Sequence, residues 1–434
     1  MTSKKAVMYL VVFLSLQPGS ILASESITSE PFEKVKNLFK HSQSAEKLFY
    51  KTPSIKGGEV INSAILIKPK HSSKDSGLLV LTYGTVGVAS MCAPKWGVKN
   101  TDEVDFLNIP GYWDSVSYES IDHYLSKGIY VLAVNKEGQG NMDYPTNVSY
   151  GEPYANLKSV TDTINFSVLS VSQVLKDNFS GDWAIIGHSQ GGQTVFSVAE
   201  YKKDYENNFK KNKIKITFKG GAALSPAMNI SNLFEEHLKN ITLFSNVLNI
   251  NDGDSEMARI ATLSINFIKS LQESGFNPDV RNIFGGNLEN NYKEITTKYC
   301  VGEQMQFITN DISKWRFTHP STPIFKYSGF NINRMINDKE VIKGMKEWSV
   351  TNKSIIGDIL VVIGTKDEYV PFKSVISGVN EMRGNGNKIK LLTIEKADHQ
   401  GYLRNRLYQK VVEDYITSLL VKKPSMSDAS DKKR

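Results

Sequence analysis

Cysteine is nearly absent from this chain. Two residues, Cys92 and Cys300, among 434 cannot build a disulfide scaffold or a cysteine-rich zinc or iron–sulfur site. Charge of one sign is scarce as well. Lys and Arg number 52 against 45 Asp and Glu, leaving +7, and the basic residues are scattered, so nucleic-acid binding gets no support. No uninterrupted apolar run reaches the ~20 residues of a membrane span, and no stable transmembrane segment is expected. Biased composition is missing too: 40% hydrophobic and 22% charged residues describe an ordinary packed protein and exclude wholesale disorder. The length implies two domains, or one large domain with an insertion.

What is present begins at the N-terminus. Lys4 and Lys5 precede the apolar stretch Ala6–Leu16, Gln17-Pro18-Gly19-Ser20 interrupts it, and Ile21-Leu22-Ala23-Ser24 offers a small-residue exit. This is the pattern of a secretory signal peptide over 1–23, cleaved after Ala23; the alternative, a membrane anchor, would need a longer run. The expected location is secreted or periplasmic. Such an oxidising compartment permits a bond between Cys92 and Cys300, with two buried free thiols as the other possibility.

Residues 24–57 read as polar and helical, with Phe32, Val35, Leu38 and Phe39 at helical spacing. Strand-like runs then recur at Ala64–Ile67, Leu78–Thr82, Ile129–Val134, Trp183–Ile186, Gly220–Leu224, Ile359–Ile363 and Ile389–Ile394. They are apolar on both faces, end in glycine-bearing turns, and alternate with helical stretches such as 154–176. That rhythm predicts an α/β fold: a mostly parallel sheet with helices on both faces. It is broken over 229–348, where helical patterns such as Ile260, Leu263, Phe267 and Leu271 take over. The expected organisation is a core of 58–228 and 349–420, a helical insertion over 229–348, and a disordered tail over 421–434.

The chemistry is concentrated in Gly187-His188-Ser189-Gln190-Gly191-Gly192. It follows the apolar run 183–186 and opens a helical pattern through Val195, Phe196, Val198 and Ala199. This is a Gly-x-Ser-x-Gly nucleophile elbow in its strand–turn–helix setting. A serine on so sharp a turn needs positions two before and two after without side chains. The turn also sets its Oγ at a helix N-terminus, where partial positive charge favours a developing anion. His188, adjacent to Ser189, reads as a wall of the elbow rather than a base.

Ser189 as nucleophile requires a base and an orienter, in the chain order Ser, Asp or Glu, His. The strand-like run Ile359–Ile363 leads into Gly364-Thr365-Lys366-Asp367-Glu368-Tyr369-Val370-Pro371, so Asp367 is the expected acid, with Glu368 and Asp358 as fallbacks. Ile389–Ile394 leads to Asp398-His399, and His399 is the only histidine beyond the acid. The remaining histidines, His41, His71, His123, His237 and His319, have no role in this reading. An oxyanion hole needs two preorganised N–H donors: the backbone N–H of Gln190, and that of Thr85 in the loop after Leu78–Thr82.

These segments together resemble the secretory lipase family of α/β-hydrolases. The residues that carry the resemblance are Tyr83-Gly84-Thr85-Val86-Gly87-Val88-Ala89 with Cys92-Ala93-Pro94, the elbow 187–192, Gly364–Pro371, and Asp398-His399, spanning about Ser54 to Leu420. The family usually has His where this chain has Tyr83, and Asp where it has Asn135. The resemblance implies ester or lipid substrates, a helical lid over an acyl pocket with transient contact to a lipid interface, and pairing of Cys92 with Cys300. No cofactor and no metal are expected. Two other readings stand beside ester hydrolysis. One is a peptidase of the same fold, recruiting Glu235 and Glu236 to hold a substrate amine; the other is a non-catalytic binding protein on this scaffold.

Overall fold

A computed structural model describes residues 26–94, 96, 112–114, 116–140, 157–246 and 250–421. The signal sequence read at 1–23 and the tail beyond residue 421 lie outside the described residues. The strands, in chain order, are β1 (Ser26–Pro31), β2 (Ser42–Pro53), β3 (Glu59–Pro69), β4 (Leu78–Thr82), β5 (Tyr112–Trp113), β6 (Val116–Ser117), β7 (Tyr130–Val134), β8 (Asp182–His188), β9 (Thr217–Leu224), β10 (Asp358–Gly364) and β11 (Ile389–Ile394). Nine of them form one sheet in the order β1-β2-β3-β7-β4-β8-β9-β10-β11, while β5 and β6 make a separate small hairpin. From β7 to β11 every pairing is parallel; β1, β2 and β3 add an antiparallel edge.

The reason for the parallel half is visible in β4, β7 and β8, whose residues are almost all buried. Side chains alternate between faces. Leu78 and Val80 enter the cluster containing Ile164, Val195 and Phe196, while Leu79 and Leu81 enter that containing Ile121, Val412 and Ile416. A strand apolar on both faces has to be covered on both, and the crossover helices do so. The first cluster is covered by α3 (Leu157–Leu175) and α4 (Gln190–Lys211), the second by α2 (Tyr118–Ser126) and α13 (Arg406–Leu420). The last crossover, between β10 and β11, is α12 (Phe372–Gly384).

The expectation of a helical segment over 24–57 is corrected here. Only the four residues of α1 (Glu33–Lys36) are helical; the flanking stretches are β1 and β2. The helical spacing of Phe32, Val35 and Phe39 amounts to a single turn. Against it stands a full-length antiparallel ladder, Ala45↔Ile67 to Pro53↔Glu59, that pairs β2 with β3. Tertiary pairing of this kind overrides a weak local preference.

Between β9 and β10 the chain leaves the sheet. It forms α5 (Ile230–Asn246), α6 (Ile250–Glu273), α7 (Val280–Ile283), α8 (Gly286–Lys298), α9 (Val301–Thr318), α10 (Ile332–Asn337) and α11 (Lys339–Trp348). The two ends of this insertion lie side by side: Val350 N–H donates to Met228 O at 2.9 Å and Ile230 N–H to Ser349 Oγ at 3.0 Å. The insertion is therefore an excursion from one point at the carboxyl ends of the strands, the end of an α/β sheet where sites form. Asp338 caps α11 by accepting from Glu340 and Val341 N–H. The cystine Cys92–Cys300 joins the start of α9 to the loop after β4. Among the described residues no helix is long and apolar enough to cross a membrane.

Candidate active site

Ser189 sits between the last residue of β8 and the first of α4, with φ 55° and ψ −117°. A left-handed backbone at a non-glycine residue is strained, and the surroundings hold it there. Ser189 N–H donates to Leu224 O at 2.8 Å. The flanking glycines are obligatory: a Cβ at Gly187 would lie 2.1 Å from Gly191 O, and one at Gly191 would lie 2.7 Å from the carbonyls of Thr82 and Tyr83.

Asp367 follows β10 and His399 follows β11, the neighbouring parallel strand. Both Asp367 carboxylate oxygens lie 2.9 Å from His399 Nδ1. Asp367 Oδ1 also accepts from the backbone N–H of Tyr369 at 3.0 Å and of Val370 at 2.8 Å. Burial opposes the charge of Asp367, but the charge and hydrogen bond of His399, the Val370 N–H and the Ser225 hydroxyl outweigh it and hold its pKa below the ordinary carboxylate value. For His399, burial again opposes charge; Asp367, with smaller contributions from Glu368 and Asp114, raises its pKa above the ordinary 6.5. Of the fallbacks, Glu368 accepts from the backbone N–H of His399 at 3.2 Å. Asp358 lies at the opposite end of β10. Asp398 turns to Arg404.

The two expected oxyanion donors lie in the loops that flank Ser189, one after β8 and one after β4. Gln190 opens α4, where amides face out of the helix's N-terminal end. Thr85 lines the cavity together with Gly84, Ser189 and His399. Sequence reasoning missed what joins these two loops. Lys136, buried just past β7, donates through Nζ to Gly84 O at 3.1 Å and to the Gln190 side chain. Tyr83, standing where the family usually has His, donates its hydroxyl to Gln139 Oε1 at 2.6 Å and accepts from Lys136 N–H at 3.1 Å. Gln139 in turn donates to Gly87 O at 2.6 Å. The loop after β4 is thus fastened from below by side chains of the loop after β7. Asn135, the other departure, donates Nδ2–H to Ser63 Oγ at 2.9 Å.

His188 was expected as a wall, and it lines the cavity. Its Nε2 lies 3.1 Å from His399 O, so that nitrogen donates. Burial, then the charge of His399, push its pKa down to about 3. A neutral imidazole therefore flanks Ser189.

The cavity is a narrow recess, partly open to solvent. Its other wall comes from the insertion: Leu263 of α6, with Val301, Gly302 and Met305 from the first turns of α9. Neither Glu235 nor Glu236 reaches it. Glu235 is exposed and Glu236 pairs with Lys239. Cys92 and Cys300 are bonded, with Cα atoms 5.3 Å apart, which settles the pairing in favour of the bridge. Among the described residues no cluster of three or more His, Cys, Asp and Glu is arranged to hold a metal.

No protein-family model matches the sequence, and no curated protein matches it either. Solved structures do. The rice cell wall degrading esterase LipA from Xanthomonas oryzae is 14% identical, with a TM-score of 0.59 over 96% of this chain and 100% of the esterase. Candida antarctica lipase A is 15% identical, with a TM-score of 0.60 over 92% of this chain and 85% of the lipase. Likeness over nearly the whole chain, insertion included, shows that the fold is the α/β-hydrolase fold of these lipases and esterases.

Proposed function

We propose that the protein is a secreted serine hydrolase that cleaves carboxylic esters. The observation that carries the proposal is the carboxylate–imidazole pair Asp367–His399, whose His399 lines one largely apolar cavity together with Ser189. Ser189 Oγ attacks the ester carbonyl carbon while His399 Nε2 takes its proton, and Asp367 stabilises the imidazolium that forms. The carbonyl oxygen, now negative, is held by the backbone N–H groups of Thr85 and Gln190. His399 then returns the proton to the departing alkoxide as the carbonyl re-forms, leaving an acyl-Ser189 that water hydrolyses by the same sequence. The apolar insertion wall suits an acyl chain. The absence of Glu235 and Glu236 from the cavity favours an ester over an aminoacyl substrate. Export to an oxidising compartment fits the pattern of residues 1–23 and the cystine.

The test compares a p-nitrophenyl ester series with aminoacyl anilides, for the parent and Ser189→Ala. The expected result is ester cleavage well above anilide cleavage, lowered in Ser189→Ala by roughly 10³-fold or more. Preference for the anilides would turn the reading to a peptidase. Turnover of neither would leave a binding protein, and retention of a tenth of the activity in Ser189→Ala would remove Ser189 from its role.

A further inference from the structure

The insertion contains a buried polar cluster that the reaction just described does not use. His237 of α5 is fully buried. Its Nδ1 lies 2.8 Å from Glu256 Oε1 of α6, and its Nε2 lies 3.0 Å from the backbone carbonyl of Tyr369. Glu256 also receives Arg259 and, at 3.3 Å, Asn240 Nδ2. Burial opposes the charge on Glu256, but the hydrogen bond and charge of His237 and the charge of Arg259 keep its carboxyl ionised below the usual range. Facing a backbone carbonyl, Nε2 can only donate in this geometry. The Arg259 guanidinium covers the Tyr369 ring at 5.2 Å, and that ring lies 5.1 Å from His399.

The peptide unit between Tyr369 and Val370 connects this cluster to the acid. Its carbonyl accepts from His237, and its N–H donates to Asp367 Oδ1 at 2.8 Å. A hydrogen bond accepted at an amide oxygen polarises the amide and strengthens the bond its nitrogen gives. We propose that His237 is a positioning residue for Asp367: from the helical insertion it orients and polarises the 369–370 peptide that holds the carboxylate against His399. The inference rests on the reading of Ser189, Asp367 and His399 as the reacting set, and it gives the insertion a part in the chemistry besides walling the cavity. Its Glu256–His237 pair repeats, one layer out, the Asp367–His399 pair that it supports.

Two near-isosteric amides separate the role from mere packing. His237→Asn keeps a donor at the Nδ1 position, facing Glu256, and has nothing that reaches the Tyr369 carbonyl. His237→Gln extends an amide nitrogen to the Nε2 position. His399 is faced by Asp367 and Glu368 from the acid loop, by His188 from the elbow, and by Asp114 from the hairpin. Of these the variants disturb the hold on Asp367. The base must be neutral to act, so a weaker Asp367 lowers the His399 pKa and moves the acid limb of kcat/KM to lower pH.

The expected result for His237→Asn is a kcat about tenfold lower, KM within twofold, and an acid limb displaced downward. His237→Gln is expected to keep the parent's kcat within threefold and the parent's limb. His237→Met, which fills the volume without a donor, takes the place of the Asn variant if that does not fold. The His399 titration is also read by NMR in a Ser189→Ala background, so that it decides the inference even if the parent cleaves no ester, an outcome that would overturn the functional reading alone. Parent-like kcat and His399 titration in the donor-less variant would overturn the inference. So would equal losses in the Asn and Gln variants with an unmoved limb.

Discussion

Asp367→Asn is the most informative single substitution at this site. Asp367 receives His399 Nδ1 on one side and the Tyr369 and Val370 amides on the other. An asparagine satisfies the two backbone donors only by keeping its carbonyl oxygen at the Oδ1 position. Its NH2 group then takes the Oδ2 position, also 2.9 Å from His399 Nδ1, and favours the tautomer in which Nδ1 accepts and Nε2 carries the ring proton. That nitrogen can no longer take the proton of Ser189. The expected loss in kcat is roughly 10²–10⁴-fold, or about 3–5 kcal/mol of transition-state stabilisation. The pH profile gives a second readout. What raises the His399 pKa is chiefly the charge and hydrogen bond of Asp367, working against burial. With the charge removed, burial prevails, and the acid limb moves from above 6.5 to below it. Glu368→Gln is the control. Its carbonyl can still accept from His399 N–H as Glu368 Oε2 does at 3.2 Å, and kcat should stay within about threefold, since that hydrogen bond is retained. Both are measured on a short-chain p-nitrophenyl ester with active sites counted by a fluorophosphonate. An Asn variant retaining a tenth of kcat, beside a crippled Gln variant, would make Glu368 the orienter and refute the geometry argued above.

Two further outcomes test the packing around the site. His188 is buried neutral with a pKa near 3 against an ordinary 6.5, so unfolding takes up a proton between those values. Stability should be complete above pH 6.5 and fall as pH drops towards 3, by up to about 1.4 kcal/mol per unit. His399, with a raised pKa, and Asp367, with one lowered from 3.8, act outside most of that window. His188→Gln should therefore flatten the urea-denaturation free energy between pH 6.5 and 4, and an unchanged slope would remove His188 as its source. The cystine closes a sequence separation of 208 residues and should contribute about 5 kcal/mol in the loop-entropy account. Thiol counting on denatured, unreduced protein should find none free, and Cys300→Ser should melt several degrees lower; two titratable thiols would contradict the bridge.

The elbow was legible because its constraint is local: Gly187 and Gly191 stand where backbone atoms leave no room for a Cβ, so the residue types announce the turn. Asp367 and His399 were legible because each follows a strand-like run rich in apolar residues, and parallel neighbours deliver successive loops to the same end of the sheet. Strand β2, which lies between β1 and β3, was not. Its polar and apolar residues follow a ladder with β3, and no spacing within residues 42–53 reveals a partner. Lys136 and His237 were hidden for a related reason. Their partners lie far away in sequence, Gly84 and Gln190 for one, Glu256 and Tyr369 for the other, and a lysine or histidine is ordinarily a surface residue. Their burial is a property of the assembled layers alone.

The bond between Cys92 and Cys300 has a kinematic consequence. Cys300 caps α9, and the next residues, Val301 and Gly302, form cavity wall. Val301 N–H is also tied to Val86 O at 2.9 Å, in the loop that carries Thr85. That corner of the wall and the loop after β4 must therefore travel as one piece. The start of α9 is a second fixed point of the insertion beside its root at Met228 and Val350, and any displacement of the insertion against the sheet must leave both in place. The spacing between Thr85 and the first turn of α9 then stays constant whatever the rest of the insertion does.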